Sequence, residues 1–153
     1  MPPPVIFGHL PGTYVGQHFT TRIELSVSGV HPSRRSGISG SQREGAVSVV
    51  LSGAYEDDED DGDTIIYTGQ GGRSPDSGKQ VVDQELVKGN LALAVSCRRE
   101  LPVRLVRGAV PGSPHGPEEG YRYDGLYRVE SYWQEPGRSG HLVWRYRLVR
   151  WDA

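Results

Sequence analysis

Gly53-Ala54-Tyr55-Glu56-Asp57-Asp58-Glu59-Asp60-Asp61-Gly62-Asp63-Thr64-Ile65-Ile66-Tyr67-Thr68-Gly69-Gln70-Gly71-Gly72 is the stretch that decides how this chain is read. Apolar, β-branched runs lie on either side of an acidic turn, Val47 to Leu51 before it and Thr64 to Tyr67 after it, and such residues fit half-buried strands. Each strand ends near a tyrosine, Tyr55 or Tyr67, and two such rings could sandwich a planar ligand. A nucleotide extruded from duplex DNA is held in this way, stacked between flat side chains and read along its Watson–Crick edge. The N4 amino group of cytosine needs an acceptor, which a carboxylate supplies. Asp58, three residues after Tyr55, is placed to provide it.

Working outward, 153 residues allow one domain with one core, here residues 1–153. A chain with 21 Gly and 11 Pro suits a turn-rich, strand-rich domain better than a helical bundle. No apolar run approaches the ~20 residues that span a bilayer, and no basic-then-apolar leader opens the chain, so no membrane partner is expected. Cys97 stands alone in an apolar run, which excludes an internal disulfide and reads as a packing residue. The net charge of −2 looks wrong for a DNA binder, yet seven acids are concentrated between Glu56 and Asp63. With those set aside the 17 basic residues are in excess, and Arg22, Arg34, Arg35, Arg43, Arg73, Lys79 and Lys88 are available for phosphates.

The proline-rich residues 1–6 read as an extended lead-in. Phe19 to Val27 alternates polar and apolar residues and predicts a strand; Pro32 to Glu44, rich in Ser, Gly and Arg, predicts a mobile loop. Strands are expected at Ala46–Leu51, Thr64–Thr68, Val103–Val106, Gly125–Trp133 and His141–Trp151, the last two joined as a hairpin through Pro136-Gly137-Arg138-Ser139-Gly140. Arg73–Gln80 reads as an exposed loop, and a helix from Val81 should end at Lys88, where Gly89-Asn90 interrupts it.

Further strings extend the pattern: Phe7-Gly8-His9-Leu10-Pro11-Gly12, Val15-Gly16, Ser28-Gly29-Val30-His31, Ser36-Gly37-Ile38, Arg122-Tyr123-Asp124-Gly125-Leu126-Tyr127 and Ser139-Gly140-His141-Leu142-Val143-Trp144-Arg145-Tyr146. In this order, and with the Tyr67-Thr68-Gly69 run, they closely resemble the SRA or YDG domain, a family of readers of 5-methylcytosine in DNA. The resemblance implies an α+β, mainly β fold, with a twisted barrel-like sheet and one or two flanking helices, as in PUA-like domains. It implies that Tyr55 and Tyr67 sandwich the flipped base, that Asp58 reads its edge, that Thr68 contacts it through the backbone, and that Ala54 and Gln70 border it. It also implies two loops that enter the duplex, carrying Arg34 and Arg35 before the pocket and Lys79 and Gln80 after it, with Arg35 and Gln80 filling the hole left by the base. The partner so implied is double-stranded DNA carrying 5-methylcytosine or 5-hydroxymethylcytosine. A start near Met1 fits the layout in which a nuclease domain follows in a longer prokaryotic, modification-dependent HNH-type restriction enzyme. The same family resemblance implies a cytoplasmic setting beside prokaryotic DNA, with the nucleus as the alternative. Two departures stand out: the second loop looks shorter than in animal members, and Gln70 occupies a place that is small in them.

Plainer readings compete. Both tyrosines could fill the core, and the acidic run could be a solvated loop. A calcium loop fails because aligning Gly62 with its glycine puts Thr68 where a closing Glu is required. The five histidines are scattered and imply no metal or cofactor. The H-x-E and P-C-x-x-C deaminase signature is absent, and no Lys-Ser/Thr follows the glycines as in a phosphate loop. The expected role is therefore a binding module without catalytic residues. The rivals are a base-flipping enzyme such as a glycosylase using Asp58, and an SRA-like domain that has lost base specificity and mediates protein contacts.

Overall fold

In the computed structural model, residues 6–53, 57–74 and 76–151 are described. Ala54 and Tyr55, the expected first half of the pocket, lie outside them. Strands β1 (His18–Phe19), β2 (Ile38–Ser41), β3 (Gly45–Leu51), β4 (Glu59–Asp60), β5 (Thr64–Thr68), β6 (Pro102–Gly108), β7 (Tyr121–Pro136) and β8 (Leu142–Arg150) form one sheet. The order is β2-β3-β6-β7-β8-β5-β4, with β1 added against β7. β3 and β6 run parallel, and their crossover contains the acidic turn, β5 and helix α2 (Lys88–Arg99). The strands before and after the acidic turn are thus not hairpin partners; they lie toward opposite ends of the path.

The sheet nevertheless brings these ends together. The Tyr67 hydroxyl on β5 shares its proton between the carbonyls of Gly37 and Val50, each 3.2 Å away, so β5 faces the β2–β3 side across the interior. This side-chain bridge is the barrel-like feature of a ladder whose hydrogen bonding remains open among the described residues. The main core packs Val49, Ile65, Leu105, Tyr146 and Leu148 of the sheet against Leu93 of α2. A second cluster, Leu25, Val30, Val106 and Tyr123, seats helix α1 (Arg22–Ser28). Burying each such aliphatic side chain contributes about 1.5–3 kcal/mol.

Several expectations need correction. Most of Phe19–Val27 is helix α1, because Thr21 caps the Glu24 amide and Glu24 accepts the Thr20 amide at 2.6 Å. That T-x-x-E signal, closed by Gly29 at φ 84°, outweighs the alternation. The second helix starts at Lys88 rather than ending there. Asn90 does not interrupt it, since its side chain turns away from the helix to bond the backbone of Gln70 and Glu85. Pro32–Glu44 contains β2 and is pinned at both ends of its exposed tip, as described below. Cys97 is half-buried against the core edge.

Candidate nucleic-acid interface

Among the described residues of the acidic run, Asp57 is buried and Asp60 half-buried, each tied down by the fold, while Glu59, Asp61 and Asp63 stay exposed. Asp60 receives two hydrogen bonds from Arg107 of β6, Nε and Nη2 each at 2.8 Å, while Arg107 Nη1 reaches Asp124 at 2.9 Å. Burial works against the charge of Arg107, but hydrogen bonds to Asp60 and Asp124 outweigh it and raise its pKa. Arg145 of β8 holds Glu59 at 2.9 Å and the Asp57 carbonyl at 2.8 Å, and Arg150 holds Asp63. Asp57 in turn accepts the Arg138 amide at 2.9 Å. Arg107, Arg145 and Arg150 pair with Asp60, Glu59 and Asp63, so setting the acids aside without these three arginines overstates the basic excess.

Asp58 sits inside this stapled segment. Its Oδ1 accepts the Thr68 amide at 2.7 Å, which ties the acidic turn to the end of β5. Burial pushes its carboxyl up to about 6, opposed by the Thr68 amide and by Arg145. Asp58 lines a cavity of about 250 Å³ together with Tyr67, Gln70, Arg35, Ser36 and Gly37. Val50, Ser52, Arg22 and Arg73 complete the wall. Tyr67 is only 5% exposed and belongs to the main core, so it fills the core and presents part of its surface to the cavity at once.

The backbone around the cavity is held by polar side chains that approach closely. Gln84 donates to the Gly69 carbonyl at 2.7 Å and accepts the Trp144 amide at 2.8 Å, while Asn90 accepts the Gln70 amide at 2.8 Å and donates to its carbonyl at 2.9 Å. A Cβ on Gly69 would lie 2.6 Å from Asn90 Oδ1, which is why the run after Thr68 needs glycine there. On the opposite wall, a Cβ on Gly37 would lie 2.9 Å from the Tyr67 hydroxyl. Arg22 Nη2 donates to the carbonyls of Ser33 and Ser36, at 2.8 and 2.7 Å, bracketing the exposed Arg34-Arg35 tip. Buried His31 donates from Nε2 to the Ser36 carbonyl and accepts Ser48 Oγ on Nδ1, both at 2.8 Å. Its burial, chiefly, lowers its pKa to about 4, so it acts as a neutral strut.

Of the residues expected at the site, Asp58, Tyr67, Gln70 and Arg35 meet at one cavity, and Thr68 lies buried directly behind Asp58. Arg34 and Lys79 are exposed and do not line it. Gln80 folds back onto its own loop, donating to the carbonyls of Gly71 and Val82 at 2.9 Å. Sequence reasoning alone does not bring Arg22, Ser36, Ser52 or Arg73 into the wall. Alternation puts Arg22 on a strand, and only the T-x-x-E cap relocates it to a helix. Among the described residues no cluster of three or more His, Cys, Asp or Glu side chains is placed to hold a metal, and no helix is long and apolar enough to cross a membrane.

Fold and cavity define a class, and the SAD/SRA domain family matches residues 6–153, so the chain belongs to that family. It is 43% identical to rat "E3 ubiquitin-protein ligase UHRF1" over 96% of this chain but 22% of that protein, so it spans about a fifth of this relative. Among solved structures, the modification-dependent TagI restriction endonuclease superposes with a TM-score of 0.93 at 42% identity, covering 96% of this chain and 53% of that one. The SRA domain of SUVH5 bound to fully hydroxymethylated CG DNA superposes with a TM-score of 0.82 at 42% identity, covering 97% and 96%.

Proposed function

We propose that this chain binds duplex DNA, extrudes a 5-methylcytosine or 5-hydroxymethylcytosine, and holds it in the cavity between Asp58, Tyr67 and Gln70. The observation that carries this reading is the convergence, on one cavity, of a carboxylate acceptor, an aromatic wall and three arginines, Arg22, Arg35 and Arg73. The carboxylate suits the amino group of the base, the ring supplies stacking worth about 1–3 kcal/mol, and the guanidinium groups suit flanking phosphates. Tyr55 is proposed as the second ring, Ala54 as a neighbour of the base, Thr68 as a backbone contact, and the Arg34-Arg35 and Lys79-Gln80 loops as the duplex-entering segments. Complexes of the SUVH5 SRA domain with methylated and hydroxymethylated DNA support the choice of ligand.

In this reading the chain is a single binding domain over residues 1–153, with residues 1–6 as a lead-in, and is not itself an enzyme. Its likeness to TagI supports a longer prokaryotic parent in which the domain directs a nuclease to modified DNA. The test is binding to matched duplexes carrying C, 5-methylcytosine or 5-hydroxymethylcytosine at one site, with Asp58→Asn as control. Asp58→Asn is preferable to Tyr67→Ala, because truncating a core aromatic costs about 3–5 kcal/mol and confounds binding with folding. Selective, Asp58-dependent binding with the DNA left intact supports the reading; equal affinity for all duplexes removes it, and release of free base would favour a glycosylase.

A further inference from the structure

The position of Asp58 has a specific origin in a residue that does not line its cavity. In the β5–β8 ladder Arg145 is directly opposite Thr68, whose amide holds Asp58 Oδ1. From there the Arg145 guanidinium, 5% exposed, reaches across the acidic turn and binds the residue on each side of Asp58. Nη2 donates to the Asp57 carbonyl at 2.8 Å and to Glu59 Oε2 at 2.9 Å, and Nη1 is anchored from behind by Glu135 Oε1 at 2.8 Å. The Arg145 Nε–H is buried with no hydrogen-bond partner among the described residues, while two carboxylates, Glu59 and Glu135, match its charge.

This placement bears on a discrimination that shape cannot make. Thymine carries the same 5-methyl group as 5-methylcytosine and differs at position 4, where an acceptor carbonyl replaces a donor amino group. A fixed, ionised carboxylate accepts from the amino group and repels the carbonyl; a neutral acid can donate to the carbonyl. We propose that Arg145 is the positioning residue for Asp58: by gripping residues 57 and 59 through Nη2 while Glu135 braces Nη1, it presents an acceptor to the cavity that admits 5-methylcytosine and rejects thymine. The inference rests on the base-reading function proposed above.

The charged groups around Asp58 come from every side. Asp57 is its chain neighbour, Arg145 stands on β8, Arg22, Arg35 and Arg73 line the shared cavity, and Asp60 with Arg107 line a smaller one that Asp58 also borders. Of these Arg145 draws the carboxyl toward its charged form and Asp57 opposes it, while burial holds it up to about 6.

The experiment measures the affinity ratio between duplexes carrying 5-methylcytosine or thymine opposite guanine, from pH 5.5 to 8 at constant ionic strength, for the full chain and for Arg145→Gln, Arg145→Lys and Asp58→Asn. The unmodified duplex reports general DNA binding. The wild-type ratio should fall as pH drops through about 6. In Arg145→Gln the ratio at pH 7 should fall about tenfold and its midpoint should move up by about 1 pH unit, the effect of removing a nearby opposite charge. Arg145→Lys keeps the charge in the interior and should keep a midpoint near the wild type, but should still lose about threefold in ratio, because one ammonium cannot reproduce the Nη1 and Nη2 contacts together. Asp58→Asn should show a low ratio with no pH dependence. A wild-type ratio and midpoint in Arg145→Gln would overturn the proposal. If Arg145→Gln does not fold, an undiminished ratio in Arg145→Lys overturns it alone. Failure of the wild type itself to prefer 5-methylcytosine at any pH would overturn the base-reading function and this inference together.

Discussion

Removing the Arg107 guanidinium should be among the more costly single changes in this domain. Arg107→Met eliminates two hydrogen bonds to Asp60, one to Asp124 and one to the Gly62 carbonyl at 2.8 Å. It leaves behind the Asp60 side chain, 19% exposed, and the Asp124 side chain, 8% exposed. Breaking a buried ion pair from one side costs about 3–5 kcal/mol, because a charge stays buried without compensation. The lower end applies here, about 3 kcal/mol, because Asp124 keeps Arg122 and Asp60 has some access to water. With a urea m-value of about 2 kcal/mol/M, the unfolding midpoint should fall by roughly 1.5 M. The double variant Arg107→Met/Asp60→Asn should recover at least about 1 kcal/mol, since it removes the uncompensated charge as well as its partner. A loss below about 1 kcal/mol for Arg107→Met, or no recovery in the double variant, would refute the view that this pair anchors the acidic turn.

Other consequences follow from the same structure. The Asp58 carboxyl is raised from 3.8 to about 6 on folding, so the folded state binds a proton more tightly and stability from this group falls as pH rises from about 4 to about 6. Asp58→Asn should abolish that slope and gain up to about 3 kcal/mol at pH 7, read by urea unfolding across pH 4–7; an unchanged slope would contradict the assignment. Tyr67→Phe removes the hydroxyl that bridges Gly37 and Val50 but retains the ring, so it should cost about 1 kcal/mol of stability and bind modified duplex far better than Tyr67→Ala. Arg35→Ala should lower affinity for all duplexes and reduce the slope of log affinity against log salt by about 1 in titrations at several salt concentrations, if it neutralises one phosphate.

Much of the sheet is legible in the sequence because its strands declare themselves locally. The Thr64–Thr68 run has the β-branched and aromatic residues of a half-buried strand and forms β5 with those bounds. The long hairpin of β7 and β8 turns between Pro136 and Leu142, where the Gly-rich segment predicts it. Asp58 and Tyr67 are legible through the motif around them, and the structure places both on one cavity. What stays hidden depends on partners distant in sequence. Arg107 and Arg145 read as ordinary strand residues until the fold sets them against Asp60, Glu59 and the Asp57 carbonyl. The start of α2 is hidden for the same reason. Gln84 and Asn90 spend their side chains on the backbone of residues 69–70, a tertiary demand that no local propensity encodes. For α1 the deciding signal is local, in Thr21 and Glu24, but the polar–apolar alternation of the same residues masks it.

The central claim, that a modified cytosine leaves the duplex and enters the Asp58–Tyr67 cavity, is tested most directly by the fluorescence of 2-aminopurine placed next to that cytosine. Stacking quenches the probe, so extrusion of its neighbour should brighten it on binding to the 5-methylcytosine duplex, with little change for unmodified DNA and a much reduced change in Asp58→Asn. Saturating binding to the modified duplex with no methyl-dependent rise would contradict the account.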